Sequence, residues 1–231
     1  MKREARGCLS ELVAVRHGES TANAAMAAAR VSGEEIRMHG RDADVPLSAV
    51  GRDQAARLGV RLASRDHDFA AVLCSPYRRT RETLDLIEQA LRAAGRPTPP
   101  VRLDERLCDR RSGGLEMLTP AAVSTAYPQE VARMAKLGPF AYRPPGGESL
   151  RDVAARLYDA FADICRDLAD TRVLLVAHDA VVLMLRGAIE GLGERELGRI
   201  AEAGPVRNAS ITRWVRHNGR LRLAEYDVTT R

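Results

Sequence analysis

Two histidines and two arginines, each standing just past a short apolar run, are the residues of this chain best suited to chemistry. Arg16-His17-Gly18-Glu19 follows Leu9 to Val15, Ser75-Pro76-Tyr77-Arg78-Arg79 follows Ala71 to Cys74, and His178-Asp179 follows Val173 to Ala177. Runs of this length read as strands, and in an open α/β sheet ligands bind outside the carboxyl ends of the strands. The three segments therefore converge in space. Imidazoles and guanidiniums gathered there are the opposite of the acidic ligand set of a hard metal ion, and they suit an anion. Toward a phosphomonoester, the neutral imidazole of His17 is a competent nucleophile near pH 7. Its attack on phosphorus would form a phosphohistidine and divide one hard step into two easier ones. Arg16, Arg79 and a charged His178 would neutralise the transferring group without a metal or cofactor. Gly18, with no Cβ, would let the backbone approach the anion closely. His39, His67 and His217 lack such a setting and read as ordinary polar residues.

The elements that must position these groups alternate strand and helix. After the first strand comes an Ala-rich helix from Thr21 to Arg30. Ser48 caps a helix with Ala55, Leu58 and Leu62 on its buried face. The strand Ala71 to Cys74 leads into a helix carrying Leu84, Ile87 and Leu91, and Val101 to Leu103 is a third strand. Ser149 and Asp152 give a capping signal for the best helical stripe in the chain, Leu150, Val153, Leu157, Phe161, Ile164 and Leu168. The unbroken run Val173 to Ala177 fits a strand covered on both faces, as in the middle of a parallel sheet. A helix bearing Val181, Leu185, Ala188 and Leu192 follows, and strands at Ser210 to Val215 and Leu221 to Tyr226 flank an Asn218-Gly219 hairpin turn. The reading is a three-layer α/β/α sandwich with a mostly parallel central sheet, one domain over 1–231. The stretch from about 108 to 147, divided by Gly113-Gly114, Pro120, Pro128, Gly138-Pro139 and Pro144-Pro145-Gly146-Gly147, reads as a lid-like insertion that sets specificity. The segment between Ala24 and Ala43 would line the entrance.

Composition agrees with a folded enzyme. Of 231 residues, 45% are hydrophobic and 29% charged, near globular averages. The 36 basic residues exceed the 31 acidic ones by only five, and with no run of like charges no nucleic-acid partner is expected. Aromatic residues at 4% also leave few platforms for base stacking. No signal peptide and no membrane span is apparent, so a cytoplasmic protein with a small-molecule substrate and no membrane partner is expected. Cys8, Cys74, Cys108 and Cys165 have no CxxC spacing and read as buried free thiols. Asn208-Ala209-Ser210 reads as a chance glycosylation match. Oligomeric state is not legible.

Several blocks resemble the histidine phosphatase superfamily, also called the phosphoglycerate mutase-like fold: LVAVRHGESTAN from Leu12 to Asn23, DVPLSAVGRDQA from Asp44 to Ala55, SPYRRTRET from Ser75 to Thr83, PPGGESLRDV from Pro144 to Val153 and VLLVAHDA from Val173 to Ala180. They occur in the family's order and cover most of the chain. The resemblance implies a phosphohistidine at His17, a phosphate pocket of Arg16, Arg79 and His178, and no metal. Its S-x-x-x-R-x-x-x-T pattern selects Arg79 over Arg78. Asn23 matches an asparagine that reaches the phosphate, and Glu19 would support the loop. In a segment like L-x-E-R-x-x-G the family's proton donor falls on Asp109, a shorter acid, with Glu105 and Asp179 as alternatives. Mutases of the family carry Trp before the signature asparagine and a later F-T-G-W. Here Ala22 precedes Asn23 and the later motif is missing, which favours a phosphatase over a mutase or an inactive phosphate-binding protein.

Overall fold

The computed structural model describes residues 8–64 and 68–230, so His67 lies outside the described residues. Its centre is a six-stranded sheet of β1 (Glu11–Arg16), β2 (Ala71–Cys74), β3 (Val101–Leu103), β4 (Arg172–Ala177), β5 (Ile211–His217) and β6 (Arg220–Val228), in the order β3-β2-β4-β1-β5-β6. The pairs β1–β4, β2–β4 and β2–β3 are parallel, while β5 and β6 extend the sheet antiparallel from β1. The two strands that carry the histidines at their carboxyl ends, β1 and β4, are neighbours in the middle. That adjacency is why Arg16-His17 and His178 meet.

Both faces of the sheet are covered. Along β1, Leu12 and Ala14 enter one apolar cluster while Val13 and Val15 enter the other, the alternation that a doubly covered strand requires. One cluster takes Leu58 and Leu62 of α2 (Ala49–Ala63) and Leu84, Ile87 and Leu91 of α3 (Arg78–Ala93), with α1 (Thr21–Ser32) preceding them. The opposite cluster takes helices later in the chain. There Val153, Leu157 and Ile164 of one helix (Leu150–Asp167) meet Val181, Val182 and Leu185 of the next (Asp179–Glu190). A further helix, Glu194–Glu202, has Leu197 as its single buried residue, too thin a pattern to be foreseen. Three layers result, as the apolar runs imply. Among the described residues, no helix is long and apolar enough to cross a membrane.

Local chemistry sets the helix starts. Ser20, Ser48 and Ser149 each accept a backbone N–H in the first turn, and Asn23 and Asp152 return the bond to complete capping boxes. Asn218 and Gly219 adopt the two positive φ angles, 49° and 76°, of the tight hairpin their sequence calls for. The stretch between 108 and 147 holds α4 (Pro120–Ala126) and α5 (Pro128–Ala141). It is tied to the 33–44 segment: Thr119 Oγ1 donates to Glu34 O and accepts from Ile36 N, and Met38 N donates to Met117 O. The two segments that sequence reading sets over the site are thus bonded together.

One expectation fails. Cys8 and Cys165 form a disulfide with Cα atoms 4.6 Å apart, across 157 residues of sequence, while Cys74 and Cys108 are free and buried. Spacing carries no sign of this bond, because tertiary packing alone brings the residues ahead of β1 against the last turns of the Leu150–Asp167 helix.

Gly51 in the first turn of α2 lies against the loop that follows β1, where a Cβ would sit 1.9 Å from Glu19 O. Overpacking against backbone costs about 1–3 kcal/mol. Gly51→Ala is therefore expected to lower the melting temperature by several degrees, measured by differential scanning calorimetry; an unchanged melting temperature would show that this loop yields freely.

Candidate active site

His17 is buried at the end of β1, and its two ring nitrogens have different surroundings. Nδ1 lies 2.6 Å from Gly18 O. A carbonyl can only accept, so Nδ1 carries the proton and Nε2 keeps its lone pair. Nε2 faces Arg79 Nε at 3.2 Å, which donates to it. Burial, then the charges of His178, Arg79 and Arg16, hold the His17 pKa well below the usual histidine value. The ring is a neutral base whose one electron pair, on Nε2, is held by Arg79, and the neutral form is what a nucleophile needs.

His178 follows β4, its ring centroid 5.2 Å from that of His17. Its Nε2 lies 2.9 Å from Ser75 Oγ. Nδ1 faces the Asp109 carboxylate at 3.4 Å, which favours the proton there and leaves Nε2 to accept from the hydroxyl. That Nδ1 is buried and has no hydrogen-bond partner. Burial, then Arg79, Arg16 and Arg156, push its pKa well below the ordinary value, so His178 is neutral here rather than charged as expected. Its positive charge would have to arrive with a bound dianion. Arg16 shares the pattern: Nη1 donates to Val206 O, while Nε is buried without a partner. Burial lowers the Arg16 pKa, partly offset by Asp179 and Asp109. Ser210 Oγ is the other unpartnered buried side-chain atom among the described residues. Two of the three thus belong to groups that sequence reading puts in a phosphate pocket.

Arg79, in the first turn of α3, spends its donors within the protein. Besides Nε on His17, Nη1 donates to Asp42 O at 2.6 Å and Asp42 Oδ1 at 2.9 Å, and Nη2 donates to Asp42 Oδ2 at 3.1 Å and Asp109 Oδ2 at 3.2 Å. A guanidinium has five N–H bonds, so this one is fully engaged. Burial disfavours its charge, but Asp109 and Asp42 more than compensate and its pKa is raised. At Asp42 burial outweighs the attraction of Arg79, and the carboxyl sits above its ordinary range. Asp42 therefore occupies the guanidinium fork without being strongly held as an anion. Nothing in its sequence neighbourhood marks Asp42 for this place.

The three acids weighed as proton donors separate in space. Asp109 Oδ2 touches Arg79 and lies 3.4 Å from His178 Nδ1. Asp179 borders the same cavity, but its Oδ1 accepts Val206 N at 2.9 Å, and burial, opposed by Arg16, raises its pKa. Glu105 accepts from the Cys108 thiol and does not line that cavity. Arg156 holds the Asp109 segment by donating to the carbonyls of Arg106, Cys108 and Asp109, and is itself fixed by buried Glu148 of the PPGGES block.

The remaining predicted residues fall into place, with one correction. Asn23 Oδ1 accepts from Ser20 N and Asn208 Nδ2, which leaves its own amide N–H groups for a ligand. Asn208 also donates to His17 O; the match set aside as a chance sequon is part of the site frame. Glu19 supports the loop, accepting from Ser48 Oγ at 2.6 Å. Arg78 is exposed and pairs with Glu82. The N–H of Gly18 is spent within the protein rather than left free for an anion. It donates to Thr83 Oγ1 at 3.1 Å, and a Cβ on this residue would lie 2.3 Å from Gly51 O, so it is the approach of α2 that requires glycine. Thr83 in turn donates to Arg79 O, the physical link behind the spacing from Arg79 to Thr83. Among the described residues, no group of three or more His, Cys, Asp or Glu is arranged to hold a metal ion.

Comparison with known proteins identifies the family. The chain is 33% identical over 191 residues to the 2,3-bisphosphoglycerate-dependent phosphoglycerate mutase 2 of Gloeobacter violaceus, covering 82% of this chain and 80% of that protein. A mycobacterial glucosyl-3-phosphoglycerate phosphatase solved with VO3 superposes with a TM-score of 0.74 at 28% identity, over 95% of this chain and 100% of the other. The α-ribazole phosphatase of Shigella flexneri shares the fold, with a TM-score of 0.75 at 20% identity over 94% and 96% of the two chains. With residues 12–229 also matching the family model for branch 1, this chain belongs to the histidine phosphatase superfamily.

Proposed function

We propose that this protein is a metal-independent phosphatase that hydrolyses phosphomonoesters through a phosphohistidine on His17. The single observation that carries the reading is the buried neutral imidazole of His17, its unprotonated Nε2 3.2 Å from Arg79 Nε at the border of a cavity that Asn23, Arg79 and Asp109 also line. Arg16 Nε and His178 Nδ1, buried without a hydrogen bond, are two further donors that an anion reaching them would relieve. In the first step the phosphoryl group displaces Asp42 from the Arg79 fork. Nε2 of His17 forms a bond to phosphorus, the bond from phosphorus to the ester oxygen breaks, and Asp109 gives that oxygen its proton. In the second step Asp109 takes a proton from water, whose oxygen attacks phosphorus. The N–P bond breaks and orthophosphate leaves. Asn23 and the Arg79 fork hold the equatorial oxygens, with Arg16 and His178 supplying positive charge.

The identity to a mutase gives a second reading, in which another substrate oxygen rather than water captures the phosphoryl group. The two share the first step and differ in the product. Hydrolysis of p-nitrophenyl phosphate in EDTA is expected from the wild type and lost by roughly 10³-fold or more in His17→Ala. With labelled 3-phosphoglycerate, exchange between the 2- and 3-positions without phosphate release would overturn the choice of phosphatase.

The roles of the acids are separable. Asp109→Asn is expected to slow alkyl phosphates by about 10²- to 10⁴-fold but p-nitrophenyl phosphate far less, since nitrophenolate departs without a proton; equal losses on both would remove Asp109 from the donor role. Asp42→Asn should tighten vanadate binding about fivefold, a change of ~1 kcal/mol, read by inhibition titration. Weaker binding would show that Asp42 supports the fork rather than competing for it. The pH response follows from the buried imidazoles. A histidine whose pKa is depressed on folding takes a proton more readily when unfolded, so stability is intact above the ordinary histidine value and falls as pH drops below it. Chemical denaturation from pH 7 to 5 is expected to show this loss, by up to about 1.4 kcal/mol per pH unit for each histidine, reduced in His17→Gln.

A further inference from the structure

We propose that the substrate is the monophosphate ester of an uncharged, apolar alcohol, with the phosphoryl group as its only anionic part. The inference rests on the phosphatase reading above and extends it to the leaving group. The cavity over His17 has a volume of about 540 Å³, larger than a phosphoryl group alone requires, so most of it must receive the alcohol. Beyond the phosphate cradle most of the lining side chains are apolar, interrupted by Arg30, Arg110, Ser112 and Glu116. Met26 of α1, Leu115, Met117 and Leu118 of the 108–147 segment, and Leu150 and Leu183 of the two helices on the other side line the cavity there. Two methionines among them can shift to meet an apolar guest of irregular shape.

The charges around this wall disfavour a second anion. Asp42, Asp109, Glu116 and Asp179 all border the cavity. Of the bordering arginines, Arg79 belongs to the phosphoryl group. Arg110 is committed to the carbonyls of Glu148 and Tyr142 through Nε and Nη2, and burial lowers its pKa. Arg30 remains, exposed in the last turn of α1, where solvent screens it. A carboxylate or second phosphate on the alcohol would therefore meet Asp42, once the phosphoryl group has taken its place on Arg79, and Glu116, with Arg30, exposed like Glu116, as the one cation to offset them. Glu116 is fixed in its place by accepting Asp42 N at 2.5 Å, so the acidic rim is built into the bonded segments rather than free to swing away.

The test compares kcat/KM for three monoesters of primary alcohols, benzyl phosphate, phosphocholine and 3-phosphoglycerate, with p-nitrophenyl phosphate as the reference. Benzyl phosphate is expected to exceed the other two by at least about tenfold, equivalent to ~1.4 kcal/mol. Equal rates, a preference for 3-phosphoglycerate or phosphocholine, or turnover of p-nitrophenyl phosphate alone would overturn the substrate class and leave the phosphatase reading standing. Hydrolysis of none of the four would remove the phosphatase reading and this inference with it. Met26→Lys, at a half-buried position of α1 that tolerates a longer polar side chain, supplies a second measurement. The ratio of benzyl phosphate to 3-phosphoglycerate is expected to fall at least fivefold in that variant. A ratio that stays fixed would overturn the assignment of this wall to the alcohol.

Discussion

One hydrogen bond, from Nδ1 of His17 to the carbonyl of the next residue, decides which nitrogen of the imidazole can react. Because that carbonyl cannot donate, the proton is fixed on Nδ1 and the lone pair on Nε2, beside Arg79. Every other feature of the site serves that orientation. Asn208 and Ala209 hold the His17 carbonyl, and Thr83 holds the N–H of Gly18, so both peptides around the ring are anchored. The guanidiniums nearby do double duty: with burial they keep the imidazole neutral, and they offer charge to what it attacks.

The frame around His17 is assembled from contacts that span the sheet. Thr83 joins the start of α3 to the loop after β1, and Ser48 joins the start of α2 to the same loop through Glu19. The close approach of Gly18 and Gly51 permits this. A strand end, two helix starts and a threonine one turn into α3 form one rigid corner, and the reactive ring stands at its apex. Second-tier groups such as Arg156 and Glu148 do for Asp109 what this corner does for His17, tying a loop residue to a buried ion pair.

Much of this was legible because buried parallel strands write themselves as apolar runs, and the polar residue that ends such a run is placed at the sheet's carboxyl edge. That logic found Arg16, His17, Arg79 and His178, and serine caps found the helix starts. It failed where the partner was remote. Gly18 looked like an anion contact because its true neighbour, Gly51, lies in another helix. Asp42 stands in a patternless segment, and its meeting with Arg79 depends on how that segment folds over the site. Asn208 matched an unrelated motif, and its amide is brought to His17 by β5, far along the chain. The Cys8–Cys165 bond escaped for the same reason. That His178 is neutral in the empty site was not legible, because composition shows an imidazole but not its burial.

The contact between Asp42 and Arg79 gives the resting pocket a built-in counterion, and this sets a threshold for entry. A monovalent visitor such as chloride, a free carboxylic acid or a phosphodiester offers no more charge than the aspartate already seated there, and gains little by evicting it. A phosphomonoester near neutral pH brings two negative charges and a tetrahedral set of oxygens. On the proposed reading, the residue that looks like an obstruction would work as a valence filter, favouring a doubly charged guest over singly charged ones.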